Sequence, residues 1–209
     1  MTKKQKKIVN EKNVKFLISK NIIFKNIYDT YGRPPEWERK PGFETLVKII
    51  LEQQVSLESA KAHFIKLKQN IGSVTPKNIY IATEQQLIDS HLSRQKRIYV
   101  KALADEILHK GLNLKKMEDW NEEEITNRLI KIKGIGHWTI NIYLMMCLKK
   151  TDIFPLGDIA LKNTMKKLTG LQSEEEMLSL SNQWRPYRSL ATFFMWHQYL
   201  SEKGKRLPE

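Results

Sequence analysis

Asp158 is the residue whose type and setting most favour a role in catalysis. It follows a loop that contains Pro155 and Gly157, and it begins a stretch with the pattern of a helix, Asp158 to Leu168. The partial positive charge at a helix N-terminus favours an ionised carboxylate. Such a group can stabilise positive charge that develops on a substrate. Asp158 could instead serve only as the N-cap of its helix, and the two roles are compatible.

Gly134 and Gly136 lie in a tight turn between two predicted helices, in the sequence LIKIKGIGHWT. Glycine lets the main chain approach a ligand closely and adopt positive φ. Backbone amides at the start of the following helix, together with its dipole, form an anion site. Lys131, Lys133 and Thr139 could assist in binding the phosphates of DNA or RNA. Taken alone, the two glycines are better explained by an ordinary tight turn.

The composition favours a polyanionic partner, because the 209 residues carry a net charge of +13. A source organism rich in lysine would explain the charge as well. The single cysteine, Cys147, excludes a disulfide within the chain and any zinc or iron–sulfur site built on four cysteines. The longest apolar run, Ile142 to Leu148, is far too short for a membrane span. The N-terminus lacks the apolar core of a secretory signal. We therefore expect a cytosolic or nuclear protein with no membrane partner.

Apolar residues recur at helical spacing along most of the chain, and no segment shows strand alternation with hairpin signals. Helix starts are indicated by Ser56, by Thr75 before a proline, by Thr83 with Gln86, and by Ser93. The sequence therefore predicts an all-α protein of roughly ten helices. Residues 1–12 are expected to form a basic flexible tail, either solvated or touching phosphate, and residues 13–209 to form the folded domain.

Four motifs, in order, resemble those of the helix-hairpin-helix DNA glycosylase superfamily. LIKIKGIGHWT is similar to its helix-hairpin-helix element, and FPLGDIALK is similar to its catalytic-aspartate segment. FETLVKIILEQQVS and WRPYRSLATFFMW resemble further motifs of its alkylpurine branch, the 3-methyladenine DNA glycosylase II group. The resemblance extends from Trp37 to Trp196. It implies two interleaved helical lobes around a cleft, with the hairpin at residues 129–140.

The resemblance implies a base excision repair enzyme that flips alkylated purines, such as 3-methyladenine and 7-methylguanine, out of double-stranded DNA. Asp158 matches the catalytic position, where a carboxylate stabilises an oxocarbenium-like sugar and orients or deprotonates a water. Trp138 stands where relatives with lyase activity carry a Schiff-base lysine, and an indole cannot form an imine. We therefore expect a monofunctional enzyme that leaves an abasic site. No cofactor and no iron–sulfur cluster are expected.

Aromatic faces attract a cationic alkylated purine by stacking and cation–π interactions. The candidates for this pocket are Trp138, Trp196, Trp37 and Tyr143. For Trp138, packing in the core is an equal alternative. In the best-known bacterial relative an aromatic residue follows four positions after the hairpin tryptophan, whereas Ile142 stands there in this sequence. This departure leaves the substrate range open.

Gln54 falls where relatives place a wedge that fills the gap left by the flipped nucleotide, although a solvated glutamine at a helix end is the alternative. Arg185 and Arg188 could contact phosphate or pair with carboxylates. The hairpin carbonyls of Ile130, Ile132 and Ile135 could hold Na⁺ or K⁺, as in relatives. The full set of expected DNA contacts is Gln54, Lys133, Gly134, Ile135, Gly136, His137, Thr139, Arg185 and Arg188.

Two other functions remain open from the sequence. The chain could be a glycosylase for deaminated bases on the same scaffold, or a non-catalytic DNA-binding protein that uses the hairpin alone. In either enzymatic case we expect a monomer that acts on damaged double-stranded DNA, in the nucleoid of a bacterium or the nucleus of a eukaryote.

Overall fold

The computed structural model of the chain describes residues 7–205, which form twelve α-helices and two short 3-10 helices. No β-strand occurs within these residues, and the all-helical prediction is confirmed. The 3-10 helices span Lys116–Asp119 and Asn182–Trp184. The α-helices are α1 (Glu11–Lys20), α2 (Ile22–Tyr31), α3 (Phe43–Glu52), α4 (Leu57–Ile71), α5 (Pro76–Ile81), α6 (Glu84–Asp89), α7 (Arg94–His109), α8 (Glu122–Leu129), α9 (His137–Met146), α10 (Ile159–Thr169), α11 (Glu174–Ser181) and α12 (Arg188–Glu202).

The chain folds as two compact units. Within the described residues, the first unit comprises residues 7–38 and 144–205, and the second comprises residues 39–143. Helix α9 begins in the second unit, and its last residues, from Leu144, belong to the first.

The core of the first unit is organised by α12, which packs against α1, α2 and α10. Most residues of α12 are buried on all sides, as expected for a central helix. The ring of Phe24 in α2 meets Trp184 and Phe194, with centroid distances of 5.1 and 5.6 Å. Aromatic packing of this kind supplies a large apolar area per residue and fixes the ring orientations.

The segment before α1 is anchored to the first unit. Ile8 and Val9 are 1% and 2% exposed. Their backbone amides donate to the carboxylate of Glu36 at 3.1 and 2.6 Å. Ile8 and Val9 are therefore packed into the first unit, and α1 begins two residues after Val9. The stretch from Ile8 to Lys12 thus differs from the flexible tail that the sequence predicts for residues 1–12. Residues 1–6 of that stretch lie outside the described part of the chain.

The core of the second unit is built on α3, which packs against α4 and α7, while α7 also packs against α5. The polar positions of α3 lie only at its ends and along one edge. Its five fully buried apolar side chains are Leu46, Val47, Ile49, Ile50 and Leu51. This burial accounts for the strong helical period of the sequence FETLVKIILE.

Helix starts agree with the predicted caps, since the side chains of Ser56, Thr75, Thr83 and Ser93 each accept a backbone amide of the first turn. The apolar spacing of the sequence predicts a helix from Trp120 to Ile132, and helix α8 (Glu122–Leu129) is shorter than this prediction. It begins after a capping box made by Asn121 and Glu124, and it ends at Leu129, where the turn of the hairpin starts.

Candidate active site and nucleic-acid interface

Asp158 is the N-cap of α10, as one of its two predicted roles requires. Its Oδ1 atom accepts the backbone amide of Leu161 at 2.9 Å and the indole Nε1–H of Trp196 at 3.0 Å. Both donors fix the orientation of the carboxylate. Asp158 is partly exposed, so an oriented carboxylate of this kind remains accessible to a substrate.

Trp196, which contacts this carboxylate, lies together with Trp37 in the first unit. Trp196 is only 6% exposed, and its ring stacks on Phe193 at 5.7 Å. Trp37 is partly exposed and meets the edges of both rings, at 5.4 Å from Phe193 and 6.1 Å from Trp196. Trp196 therefore orients Asp158, and Trp37 offers the accessible aromatic surface of this cluster.

The two other aromatic candidates differ from one another. Trp138 lies in the first turn of α9 and is partly exposed. Tyr143 is fully buried within the second unit, and its hydroxyl accepts the amide of Gly42 at 3.1 Å. The expectation that Tyr143 lines a substrate pocket is not supported by this position, because its ring is enclosed in the core and its hydroxyl anchors a loop.

Two features of the hairpin require glycine at position 134, its positive φ and the close approach of a neighbouring ring. Its φ is +90°, and a Cβ atom built on it would lie 2.0 Å from the ring of Tyr99. Gly136 is different, since no heavy atom lies within 4 Å of an added Cβ at this position. Gly134 is thus required by the fold, whereas the exposed Gly136 keeps the main chain open on its outer side.

The remaining hairpin residues divide into an exposed set and a buried set. Lys133 and His137, two of the expected DNA contacts, are exposed beside Gly136. Ile135 and Thr139 are 3% and 1% exposed, so their side chains support the turn, and only main-chain groups of Ile135 are available for a direct contact. A concavity of about 460 Å³ on this surface is lined by Gln53, Tyr99 and residues 130–136.

Gln54 forms the exposed tip between α3 and α4, and its φ of +57° is unusual for a residue other than glycine. The preceding residue, Gln53, donates from Nε2 to the carbonyl of Gly134 and to Oγ1 of Thr139, both at 2.9 Å. Within the second unit, the tip and the hairpin are therefore joined directly.

Arg185 and Arg188 pair with a carboxylate, which was one of their two predicted roles. Arg185 donates to Asp152 at 2.6 Å, and Arg188 donates to both Asp152 oxygens at 2.7 and 3.1 Å and to its carbonyl at 2.8 Å. The side chain of Arg188 is 12% exposed, so its bonds to Asp152 lie mostly inside the first unit. The side chain of Arg185 is 53% exposed.

Among the hairpin carbonyls proposed for a monovalent cation, that of Ile132 accepts the amide of Ile135 at 3.0 Å. No group of three or more His, Cys, Asp and Glu side chains within residues 7–205 is arranged to hold a metal ion. None of the helices in this range is both long enough and apolar enough to cross a membrane.

Several residues around these sites could not be identified from the sequence. Lys96 is 7% exposed and donates to the carbonyl of Leu51 at 2.6 Å, and burial lowers its pKa. Arg39 and Glu52 form a bidentate ion pair at 2.9 and 2.8 Å. These contacts join residues 45 and 13 positions apart in the chain, and local sequence patterns do not predict contacts at such separations.

A profile of the HhH-GPD superfamily, described as base excision DNA repair proteins, matches residues 47–186, which include the hairpin, the Gln54 tip and Asp158. The chain belongs to the HhH-GPD superfamily. The resemblance identified from four sequence motifs is thereby confirmed.

Individual members of the superfamily are similar over most of the chain. The alkylbase DNA glycosidase-like protein mag2 of Schizosaccharomyces pombe is 31% identical over 180 residues, covering 82% of this chain and 84% of that protein. YfjP of Bacillus subtilis, whose name assigns it to the DNA-3-methyladenine glycosylases, is 30% identical over 165 residues. That alignment covers 74% of this chain but only 58% of the length of YfjP.

A solved superfamily structure agrees with the fold. The 3-methyladenine DNA glycosylase Mag1 of S. pombe, in complex with abasic DNA, superposes with a TM-score of 0.79 at 25% identity. The match covers 88% of this chain and 95% of that one. The expected helix-hairpin-helix glycosylase fold and membership of a superfamily of base excision DNA repair proteins are thus confirmed.

Proposed function

We propose that this chain is a monofunctional DNA glycosylase that releases alkylated purines, with Asp158 as its catalytic carboxylate. The observation that carries the proposal is the pair of hydrogen bonds that Oδ1 of Asp158 accepts from Leu161 and Trp196. They hold the carboxylate in one orientation beside a cluster of aromatic rings. A group that served only as a helix cap would not need the indole donor.

The reaction is hydrolysis of the N-glycosidic bond. The bond between the anomeric carbon and the purine nitrogen breaks, and its electron pair leaves with the base. The sugar becomes oxocarbenium-like, and the negative charge of Asp158 stabilises it. A water oriented by the same carboxylate adds to the anomeric carbon and loses a proton to that carboxylate, which passes it to solvent, so that the products are the free base and an abasic site.

Alkylated purines such as 3-methyladenine and 7-methylguanine suit this site because they carry positive charge and leave readily. Trp37, whose ring is partly exposed in the first unit, is the residue that we expect to stack on the base. Two of the relatives described above bear names that refer to 3-methyladenine. Trp138 in place of a lysine argues for hydrolysis without a lyase step, because an indole forms no imine.

Binding to double-stranded DNA falls to the second unit in this proposal. Lys133, Gly136 and His137 contact phosphate at the start of α9, and Gln54 fills the gap that the flipped nucleotide leaves. No organic cofactor is needed for the hydrolysis, and Na⁺ or K⁺ at the hairpin carbonyls would only support the turn. The enzyme acts as a monomer, in a bacterial nucleoid or a eukaryotic nucleus.

The test is release of methylated purines from alkylated duplex DNA by wild type and by Asp158→Asn. Asparagine is an equally good N-cap, so the variant keeps the fold. We expect it to lose roughly 10²- to 10³-fold in the rate of base release while binding DNA as tightly as wild type. If both proteins bind DNA and neither releases base, the chain is a binding protein without catalysis.

A substrate panel separates the alkylpurine function from action on deaminated bases. Duplexes with 3-methyladenine, 7-methylguanine, hypoxanthine or uracil should be cleaved only when they contain an alkylated purine. Borohydride should trap no covalent adduct between the protein and abasic DNA. A trapped adduct would refute the monofunctional mechanism.

A further inference from the structure

We propose that Lys96 is a positioning residue that holds the end of α3 so that Gln54 is presented to DNA in one fixed conformation. The inference rests on the proposed role of Gln54 as the residue that enters the gap in the duplex. Lys96 itself touches neither DNA nor substrate in this account.

Three consecutive residues before Gln54 are each held by a side chain from elsewhere in the second unit. The carbonyl of Leu51 accepts the ammonium of Lys96 at 2.6 Å. Glu52 accepts both ends of the Arg39 guanidinium, in an ion pair whose side chains are each 13% exposed. Gln53 completes the series with its two bonds to the hairpin. Immediately after this anchored series, the chain turns out to solvent at Gln54.

The backbone of Gln54 needs such support. A φ of +57° is costly for a residue with a side chain, and it persists only where the surroundings enforce it. Strain of this kind concentrates at sites of function. An exposed glutamine in an unstrained turn would satisfy folding equally well.

The charge of Lys96 is also not needed to fill space in the core. An ammonium that is 7% exposed loses most of its hydration, and burial lowers its pKa. An apolar side chain of similar length would fill the same space at lower cost. What the ammonium adds is a strong, directional bond to the C-terminal end of α3, where the helix dipole attracts a positive charge.

Lys101, one and a half turns further along α7, provides a matched control. Its ammonium donates to the carbonyls of Tyr80 and Ala82 at 2.7 and 2.6 Å, and burial lowers its pKa too. It therefore holds the end of α5 just as Lys96 holds the end of α3. The difference is that α5 does not lead into the Gln54 tip.

The experiment measures, for the full chain, the ratio of its affinities for a duplex with a tetrahydrofuran abasic analogue and for the same duplex without it. Lys96→Met should lower this ratio about tenfold, while Lys101→Met should leave it within about twofold. Lys96→Arg, which keeps a donor, should recover most of the ratio. If Lys96→Met does not fold, Lys96→Gln takes its place, because its shorter side chain cannot reach Leu51.

A double-mutant cycle with Gln54→Ala decides whether Lys96 acts through the tip. We expect Lys96→Met to change the ratio no further once Gln54 is alanine. Additive effects, equal effects of the Lys96 and Lys101 substitutions, or a wild-type ratio near one would each overturn the proposal. Since no step of this assay needs base release, a failure of the catalytic proposal is detected separately, by the Asp158→Asn comparison.

Discussion

Around Asp158 the first unit relies on large aromatic side chains, whereas around Gly134 the second unit relies on main-chain conformation and polar side chains. The carboxylate is held by a helix N-terminus and by the indole of Trp196, which is itself stacked on Phe193. The hairpin is held by a glycine at φ +90° and by the amide of Gln53.

Activity and folding are therefore separable around Asp158 and coupled at the hairpin. An asparagine can replace the cap at position 158 without loss of structure, so the chemistry there can be removed alone. At Gly134 the conformation that exposes the main chain is the same conformation that packs against Tyr99. Changes near the hairpin should therefore affect binding and stability together, except at Gly136.

Gly134→Ala should give the largest effect on folding, a loss of about 3 kcal/mol in the free energy of unfolding. Alanine is disfavoured at the φ of this position, and its Cβ would lie 2.0 Å from the ring of Tyr99, which is an overlap. Gly136→Ala should change stability by less than about 0.5 kcal/mol but weaken DNA binding, because its methyl group would stand between the main chain and a phosphate. Urea unfolding and fluorescence anisotropy measure the two effects. Equal stabilities for the two variants would remove the distinction between the glycines.

Trp196→Phe should reduce base release by about 10- to 100-fold, because the phenyl ring keeps the packing but loses the donor to the Asp158 carboxylate. Trp184→Phe is the control, since the buried Nε1 of Trp184 has no hydrogen-bond partner within residues 7–205. The two variants should lose similar stability, and only the first should lose activity per folded molecule in single-turnover assays. Equal activities would mean that the indole bond serves folding alone.

Lys133→Met should weaken DNA binding severalfold and lower the slope of log affinity against log salt by about one. Arg188→Met offers a contrast, because Arg188 is bonded to Asp152 in the first unit. Its loss should lower the melting temperature and leave the salt slope unchanged. A reduced salt slope for Arg188→Met instead would place that arginine on the DNA.

The smallest expected effect concerns His63, whose pKa is lowered below 6.5 by burial first, and then by the charges of Lys96 and His91. The unfolded chain therefore binds more protons than the folded one as pH falls through 6.5 toward the folded pKa, so stability decreases across that window. His63→Gln should flatten this decrease in melting temperature between pH 7 and pH 5. An unchanged slope would assign the pH dependence to other groups.

Local rules predicted most of the fold. Caps such as Ser56 and the Thr83–Gln86 pair mark helix starts through bonds between residues three positions apart, and a pattern of that length can be read directly. The end of α8 was misjudged because Ile130 and Ile132 continue its apolar spacing, although the backbone there already forms the turn. Short 3-10 helices carry too few residues to show a period.

Residues that stand in motifs can be proposed from the sequence, whereas the contacts that hold them in place cannot. Asp158, Gly134 and Gln54 stand in recognisable motifs, whereas the bond from Lys96 to Leu51 joins residues 45 positions apart. The sequence shows that Tyr143 is aromatic, and this predicts that it lines the pocket. Its burial is decided by tertiary packing, which the sequence does not show. The pairing of Arg185 and Arg188 with Asp152 is equally a product of the folded chain, more than thirty residues apart in sequence.

The division of labour between Gln53 and Gln54 has a practical consequence. The anchoring bonds belong to position 53, and the solvent-facing side chain belongs to position 54. In the role proposed for Gln54, the amide at position 54 could therefore be exchanged for other side chains that contact the opposite strand, while the bonds at position 53 continue to hold the tip.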